Sequence, residues 1–163
     1  MNIRPATSQD YNDIIKIYNQ AVDEKFATAD TEYVTLESRK VWFAEHSPES
    51  YPIYLAVQDG VIIGWCSLSP HRLGRNALRT VAEISYYIHK DHRRKGVANN
   101  LIIHTIASAK ELGFRNLIAI LLDLNKASIY ILEKFGFEKW GHLPGIVQID
   151  FIICGQYIYG KKM

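Results

Sequence analysis

The stretch HKDHRRKGVANNL, residues 89–101, carries the strongest fold signal in this sequence. Three consecutive cations, Arg93, Arg94 and Lys95, stand directly before Gly96, and a helical pattern follows. A glycine lets a ligand approach the backbone closely. The first turn of a helix offers free N–H groups and the positive end of the helix dipole. The stretch is therefore either a solvated basic turn or the wall of an anion site.

Strand and helix patterns alternate on both sides of this stretch. Before it, VAEISYYI (residues 81–88) is rich in β-branched and aromatic residues, which predicts a strand. After it, apolar residues at helical spacing predict a helix over 97–112 that ends at Gly113. The continuous apolar run over 117–122 predicts a buried strand. A second helix over 125–135, ended by Gly136, and two strands within 137–160 complete the predicted C-terminal half.

The N-terminal half completes an α/β pattern. A short strand over 2–6 is followed by a helix capped by Ser8, and a second helix is predicted over 36–46 with Thr35 as its cap. A hairpin of strands over 53–57 and 61–68 turns at Asp59-Gly60. The predicted order is β-α-α-β-β-β-α-β-α-β-β, a mixed α/β sheet covered by helices. Because no repeat, low-complexity tract or linker interrupts it, residues 1–163 are predicted to form one domain.

Composition excludes several classes of function. The net charge of +2 gives no global basic field for nucleic acid or an anionic membrane. No apolar run approaches the ~20 residues of a membrane span. Cys66 and Cys154 are too far apart for a C-x-x-C motif, and His71, His89 and His92 form no metal set. We therefore expect a soluble cytoplasmic protein that binds no metal.

Two motifs resemble the GNAT (GCN5-related N-acetyltransferase) superfamily. R-x-x-G-x-A, from Arg93 to Ala98, is similar to the superfamily's Q/R-x-x-G-x-G/A loop, which binds the pyrophosphate of acetyl-CoA. Asn125, Ser128 and Glu133, with the following F-G-F, resemble its N-x-x-S/A…E-x-x-G-F segment. The likeness extends to the phosphinothricin and methionine sulfoximine N-acetyltransferase branch through IYNQAV (17–22), TADTE (28–32), VAEISYYI (81–88) and LPGIVQID (143–150).

The resemblance implies the GNAT fold, a central mixed and mostly antiparallel sheet flanked by helices. It also implies acetyl-CoA as co-substrate, a small-molecule amine as acceptor, and a homodimer. The backbone of one strand would hold the pantetheine arm, the basic loop would hold the pyrophosphate, and the next helix would add polar contacts. The residues implied are, in that order, Tyr86, Tyr87 and Ile88; Arg93, Arg94, Lys95, Gly96, Val97, Ala98 and Asn99; and Asn125 and Ser128.

Glu83 is the predicted general base. Acetyl transfer requires the acceptor amine to lose its proton, and the resemblance places Glu83 at the position of the branch's glutamate with that role. An otherwise apolar strand would bury it, and burial raises the pKa of a carboxyl group toward the useful range. The alternative is a structural ion pair with an arginine.

Arg79 is the predicted carboxylate-binding residue of the acceptor site. It lies four residues before Glu83, where the branch has an arginine that faces the substrate carboxylate, and Arg75 is the second candidate. A planar guanidinium holds a carboxylate through two hydrogen bonds, which suits a free amino acid or analogue. The alternative is that both are solvent-exposed loop arginines.

Leu132 departs from the family pattern. Superfamily members carry a tyrosine there, and this branch often a histidine, so a general acid for the leaving thiolate is missing at this position. Three activities remain open: acetyl transfer to a small amino-acid-like amine, acetyl transfer to protein N-termini or lysines, and non-catalytic acyl-CoA binding.

Overall fold

The computed structural model describes residues 1–163 and contains a seven-stranded sheet with the order β1-β2-β3-β4-β5-β7-β6. All neighbouring strands are antiparallel except β4 and β5, which are parallel. The mixed, mostly antiparallel sheet is thus confirmed. The strands are β1 (Asn2–Pro5), β2 (Ile53–Gln58), β3 (Val61–Pro70), β4 (Val81–Ile88), β5 (Asn116–Leu122), β6 (Glu138–Ile149) and β7 (Ile152–Lys162).

The helices follow the predicted order, but the second is much shorter than predicted. They are α1 (Tyr11–Asp23), α2 (Lys40–Ala44), α3 (Val97–Glu111) and α4 (Lys126–Lys134). Thr35 caps the chain here as predicted: the Ser38 N–H donates to Thr35 Oγ1 (3.1 Å) and the Thr35 N–H donates to Ser38 Oγ (2.9 Å), the reciprocal pattern of a capping box. One α-type bond follows, from Arg39 N to Thr35 O (3.1 Å), but the Lys40 N–H bonds Glu37 O (3.3 Å) with the shorter spacing of a 3₁₀ turn. Residues 36–39 therefore form turns, and regular helix begins only at Lys40.

Helices cover both faces of the sheet, and β4 contributes to both. On one face, Tyr87 packs against a core from α1, α2, β2 and β3 that contains Phe43 and Trp65. On the other face, Ile84 and Tyr86 pack with residues of α3 and α4. Because side chains alternate along a strand, Glu83, Ser85 and Tyr87 share the α1/α2 face.

Strands β4 and β5 pair only at their first three positions. The last pair is Glu83 with Ile118, whereas β5 continues to pair with β7 as far as Leu122. From Ile84 onward β4 therefore has no neighbour on its β5 side. This divergence opens the sheet and positions the candidate site.

Asp10 fastens the start of α1 to β1. Its carboxylate accepts hydrogen bonds from Arg4 Nη1 and Nη2 (2.8 and 2.7 Å) and from the Thr7 N–H and hydroxyl (2.8 and 3.0 Å). The residue is only 7% exposed. The Arg4 guanidinium is the main cause that lowers the pKa of Asp10 from 3.8 to about 2.

We expect Asp10→Asn to lower the free energy of unfolding near pH 7 by about 1–3 kcal/mol, because the amide cannot accept the charge-assisted bonds. The pKa of Asp10 is lower in the folded than in the unfolded chain. The stabilisation is therefore complete above about pH 4 and is lost as the pH falls toward about 2.

Urea unfolding of the wild type and of Asp10→Asn at pH 7, 4 and 2.5 measures this effect. The stability difference should shrink across that series. The matched control is Asp13→Asn, because Asp13 forms an exposed pair with Lys16 (2.9 Å) and should cost less than about 1 kcal/mol. A pH-independent difference for Asp10→Asn would contradict the assignment.

Candidate active site

A cleft of about 580 Å³ fills the gap between β4 and β5. Its walls come from both diverging strands, the C-terminal end of α1, the start of α3 and the first turns of α4. All the predicted cofactor residues except Lys95 lie on its lining. They are Tyr86, Tyr87, Ile88, Arg93, Arg94, Gly96, Val97, Ala98, Asn99, Asn125 and Ser128.

The N-terminus of α3 opens onto this cleft without a side-chain cap. Gly96 is the N-cap residue and has a left-handed φ of 79°. The first helical hydrogen bond runs from Asn100 N to Gly96 O (3.2 Å), so the N–H groups of residues 97–99 have no backbone acceptor. A Cβ atom at Gly96 would meet no protein atom within 4 Å, because it would project into open space. The arrangement is an anion cradle with the positive end of the helix dipole behind it.

The three cations before Gly96 have different roles. We expected all three at the rim of the cradle, but the Arg93 side chain is already engaged. Its Nη1 pairs with Glu24 at the end of α1, and its Nε donates to the Ile88 carbonyl oxygen (3.3 Å). The Lys95 ammonium donates to the Asp91 carbonyl oxygen (2.9 Å) and lies outside the cleft. Arg94 is exposed and makes no ion pair, so it is the cation available to a ligand.

The backbone of β4 presents unpaired polar groups to the cleft. The His89 N–H donates to Ile63 O on the β3 side (2.9 Å). Because antiparallel bonding alternates, the backbone groups of Ile84, Tyr86 and Ile88 face the β5 side. The Ile84 N–H still bonds β5 at the last pair, and the Ile88 carbonyl oxygen accepts from Arg93 Nε. The free groups are therefore the Ile84 C=O, both groups of Tyr86 and the Ile88 N–H. The backbone of Tyr87 points toward β3 instead, so Tyr87 lines the cleft with its side chain. An extended ligand with amide groups can add to this free edge as a strand would.

The start of α4 forms the opposite wall. Asn125 caps the helix, since its Oδ1 accepts from the Ser128 N–H (3.1 Å), and it also lines the cleft. Tyr130 also lines the cleft, from an exposed position. The Tyr86 hydroxyl donates a long bond to Ser128 O (3.5 Å).

Glu83 lies where the two strands part, one residue before the cleft lining begins, so it lines neither cavity. It is also less buried than predicted. About 32% of its side chain is exposed, because the loop between β3 and β4 covers it only partly. Its partner is not an arginine but His71, whose Nδ1 lies 2.7 Å from Glu83 Oε1. His71 was not predicted from the sequence to have a role at this site. The register could have revealed it: Ser69 pairs directly with Glu83, and His71 follows two residues later on the same side.

A second histidine stands behind Ser69. His46 Nδ1 lies 2.6 Å from the Trp42 carbonyl oxygen, so Nδ1 carries the proton and donates. Its Nε2 therefore accepts from the Ser69 hydroxyl (3.1 Å). Burial lowers the pKa of His46, which keeps the ring neutral.

A smaller cavity of about 130 Å³ adjoins the cleft on the α1/α2 face. It shares Ser85 and Tyr87 with the cleft, so the two spaces meet on the Glu83 side of β4. Its remaining walls are mostly apolar and aromatic. They are Ile14, Ile15, Tyr18, Val34, Arg39, Trp42, Phe43 and Trp65.

Residues 1–138 match the acetyltransferase (GNAT) domain family. The chain belongs to the GNAT acetyltransferase family. The identification made from the two motifs is thus confirmed, and the chain is an acetyltransferase.

Three relatives refine the assignment of this GNAT domain. YwnH of Bacillus subtilis, which bears a provisional phosphinothricin acetyltransferase name, is 39% identical over 164 residues, covering 100% of this chain and 99% of its own. An L-methionine sulfoximine/L-methionine sulfone acetyltransferase of Pseudomonas aeruginosa is 32% identical over 148 residues, covering 90% and 86%. The structure of yncA from Salmonella typhimurium with its cofactor acetyl-CoA superimposes with a TM-score of 0.90 at 25% identity, covering 99% and 92%. The chain is therefore an acetyltransferase of the phosphinothricin and amino-acid type.

The GNAT domain has no cysteine suited to a covalent acetyl-enzyme route. Cys66 and Cys154 are both buried free thiols. Burial raises the pKa of Cys66 to about 12 and also raises the pKa of Cys154. Neither thiol lines the cleft, so neither supplies a thiolate nucleophile there. Leu132 lines the cleft and, as predicted from its side chain, offers no proton.

The predicted acceptor arginines lie outside both cavities. Arg75 and Arg79 are exposed on the loop that leads into β4, and neither has a carboxylate within 4 Å. Arg79 Nη1 donates only to the Asn76 carbonyl oxygen (3.2 Å). Neither guanidinium group is therefore engaged in an ion pair. No group of three or more His, Cys, Asp or Glu side chains could hold a metal ion, and no helix is long and apolar enough to cross a membrane.

Proposed function

We propose that residues 1–163 form one GNAT domain that transfers the acetyl group of acetyl-CoA directly to the amine of a small amino-acid-like acceptor. The acceptor would be of the phosphinothricin or methionine sulfoximine type, as the names of the relatives indicate. The observation that carries this proposal is a single cleft that has an anion cradle at one end and that opens along β4 directly after Glu83. Glu83 lies at the closed end of the strand divergence, and the α3 N-terminus lies at the open end.

The cleft fits acetyl-CoA in two separate respects. The uncapped N–H groups of residues 97–99 and the free Arg94 would hold the pyrophosphate. The free backbone groups of β4, namely the Ile84 C=O, both groups of Tyr86 and the Ile88 N–H, would hold the amide-containing pantetheine arm. When bound, acetyl-CoA supplies the activated acetyl group as a thioester.

Glu83 would serve as the general base. Its carboxylate takes a proton from the acceptor ammonium, and the freed nitrogen lone pair forms the C–N bond with the thioester carbonyl carbon. The C–S bond then breaks, CoA leaves as a thiolate, and the nitrogen loses its second proton to water, which gives the neutral amide. An N–H group of β4 that points into the gap can stabilise the developing oxyanion.

The leaving thiolate needs no protein acid in this scheme. Leu132 cannot donate a proton, and a thiol with a pKa of about 8.5 is a tolerable leaving group. Water can protonate the thiolate after it has left.

The acceptor would approach from the α1/α2 face. The smaller cavity beside Ser85 and Tyr87 has room for a compact side chain. The acceptor carboxylate would then be held by Arg79, with Arg75 as the second candidate, because both are exposed on the loop that leads from His71 into β4 and neither pairs with a carboxylate of the chain. A bidentate guanidinium–carboxylate pair would select amino acids over simple amines.

We expect Arg79→Ala to raise the acceptor KM roughly tenfold or more, because a charge-assisted pair contributes about 1.5–3 kcal/mol. The KM for acetyl-CoA should change little. Steady-state kinetics with an amino acid and with the matching amine that lacks a carboxylate give the control. If the substitution weakens both acceptors equally, Arg79 does not bind the carboxylate.

A thiol-release assay with acetyl-CoA tests the proposed reaction. The acceptor panel should include phosphinothricin, methionine sulfoximine, methionine sulfone, other amino acids, and peptides with free N-termini or lysines. Turnover confined to the free amino acids would support the proposal. Turnover confined to peptides would favour a protein acetyltransferase, and acetyl-CoA binding without any turnover would favour an acyl-CoA-binding module.

We also propose that the protein works as a homodimer in the cytoplasm. Large apolar side chains are exposed on and beside the β6–β7 hairpin, among them Ile146, Phe151 and Ile153. Such a patch is typical of a surface covered by another chain. Two buried free thiols fit a reducing compartment. A monomer mass by sedimentation at micromolar concentration would contradict the dimer.

A further inference from the structure

We propose that His71 is the positioning residue of Glu83. In this arrangement the His71 Nδ1–H holds Glu83 Oε1, and Oε2 remains free to take the proton from the acceptor amine. The inference rests on the proposed function, because it assumes that Glu83 is the base.

The contact between the two residues is direct and sheltered. His71 Nδ1 lies 2.7 Å from Glu83 Oε1, and the side chains are 18% and 32% exposed. An ionised carboxylate can only accept hydrogen bonds, so Nδ1 carries the proton whenever Glu83 is ready to act as a base. The ring therefore donates, and its Nε2 is left free of the carboxylate.

No other side chain holds Glu83. Its cross-strand neighbour Ser69 is engaged with His46. The nearby Arg79 bonds a backbone carbonyl. The Glu83 carboxylate makes no hydrogen bond besides the one with His71. Without His71 the carboxylate would rotate among its rotamers at a partly exposed strand position.

Immobilising one carboxylate oxygen has a defined chemical consequence. The proton leaves the acceptor nitrogen and binds Oε2, while the Nδ1 proton stays on the ring. Glu83 is then neutral and returns its proton to solvent through its exposed side. Because a base must meet the proton in line with the reacting nitrogen, fixing Oε2 raises the rate of proton removal rather than the affinity for substrate.

Two substitutions at position 71 distinguish the effect of the N–H donor from the effect of the aromatic ring. His71→Phe keeps the ring and removes the donor, whereas His71→Asn keeps an N–H donor at the position of Nδ1–H. We expect His71→Phe to lower kcat at pH 7 about tenfold or more, with the KM for acetyl-CoA unchanged within a few-fold. His71→Asn should restore most of kcat. The matched control is His142→Phe, which removes another histidine–carboxylate pair, with Asp123 (3.3 Å), outside both cavities.

A double substitution shows whether His71 acts through Glu83. In the Glu83→Gln background, His71→Phe should cause no further loss of kcat, because the group that it positions is already gone. Thermal unfolding of each variant shows that it remains folded at the assay temperature. Wild-type kcat in His71→Phe, equal losses in His71→Phe and His71→Asn, or a full additional loss in the double variant would each overturn the inference.

This design distinguishes failure of the inference from failure of the proposed function. If Glu83→Gln alone keeps wild-type kcat, then Glu83 is not the base, and both the base assignment and the role of His71 fall. If Glu83→Gln is impaired but His71→Phe is not, the base assignment stands and only the inference about His71 is overturned.

Discussion

Replacing Glu83 by glutamine should lower kcat at pH 7 by at least roughly 100-fold, because a general base typically contributes about 10²–10⁴-fold. Glutamine keeps the size of the side chain and removes its basicity. The affinity for acetyl-CoA should stay within a few-fold, since Glu83 does not line the cleft that contains the anion cradle. Steady-state kinetics and calorimetry on the folded variant measure the two quantities.

The loss should shrink as the pH rises. An α-amine with a pKa near or above about 8 is mostly protonated at pH 7, and a protonated amine has no lone pair for attack. At pH 9.5 the solution deprotonates the amine, so the base becomes less necessary. Glu138→Gln, at an exposed position on β6, is the control. Wild-type kcat in Glu83→Gln at pH 7 would overturn the assignment, and a pH-independent loss would indicate a structural role.

Replacing Gly96 by valine should abolish acetyl-CoA binding. A Cβ there enters the open space in front of the uncapped N–H groups, where the pyrophosphate would lie. The left-handed φ of 79° also strains a β-branched residue. The valine variant thus combines a lost contact with backbone strain, so a milder pair of variants is needed to separate them.

Gly96→Ala and Gly113→Ala form that pair. Gly113 follows α3, has a φ of 82°, and likewise has no atom within 4 Å of an added Cβ. Both alanines should therefore cost about 1 kcal/mol or more of stability through the same strain. Only Gly96→Ala should weaken acetyl-CoA binding, about tenfold or more by calorimetry. Undiminished affinity in a folded Gly96 variant would remove the pyrophosphate site from this loop.

The features that the sequence predicted correctly are local ones. The order of the strands and helices follows from periodicity, and the anion cradle follows from contiguous residues, because a glycine before a helix is sufficient to leave the first N–H groups free. Leu132 could be excluded as a proton donor from its side chain alone. The one large error in the elements is the extent of α2: Thr35 caps the segment as predicted, but the Lys40 N–H bonds Glu37 O with 3₁₀ spacing, and regular helix begins only at Lys40.

Contacts between residues that are distant in the sequence could be identified only from the tertiary structure. The divergence of β4 from β5 determines which backbone groups face the cleft. The spacing of apolar residues along each strand does not indicate where the two strands stop pairing. Arg93 belongs to the family motif, yet its side chain pairs with Glu24, which is 69 residues away. The apolar residues around Glu83 predicted a buried strand position. Its actual exposure and its bond to His71 depend on how the β3–β4 loop packs. Sequence spacing determines which face of an element a residue occupies, whereas strand register and loop packing determine what lies opposite that face.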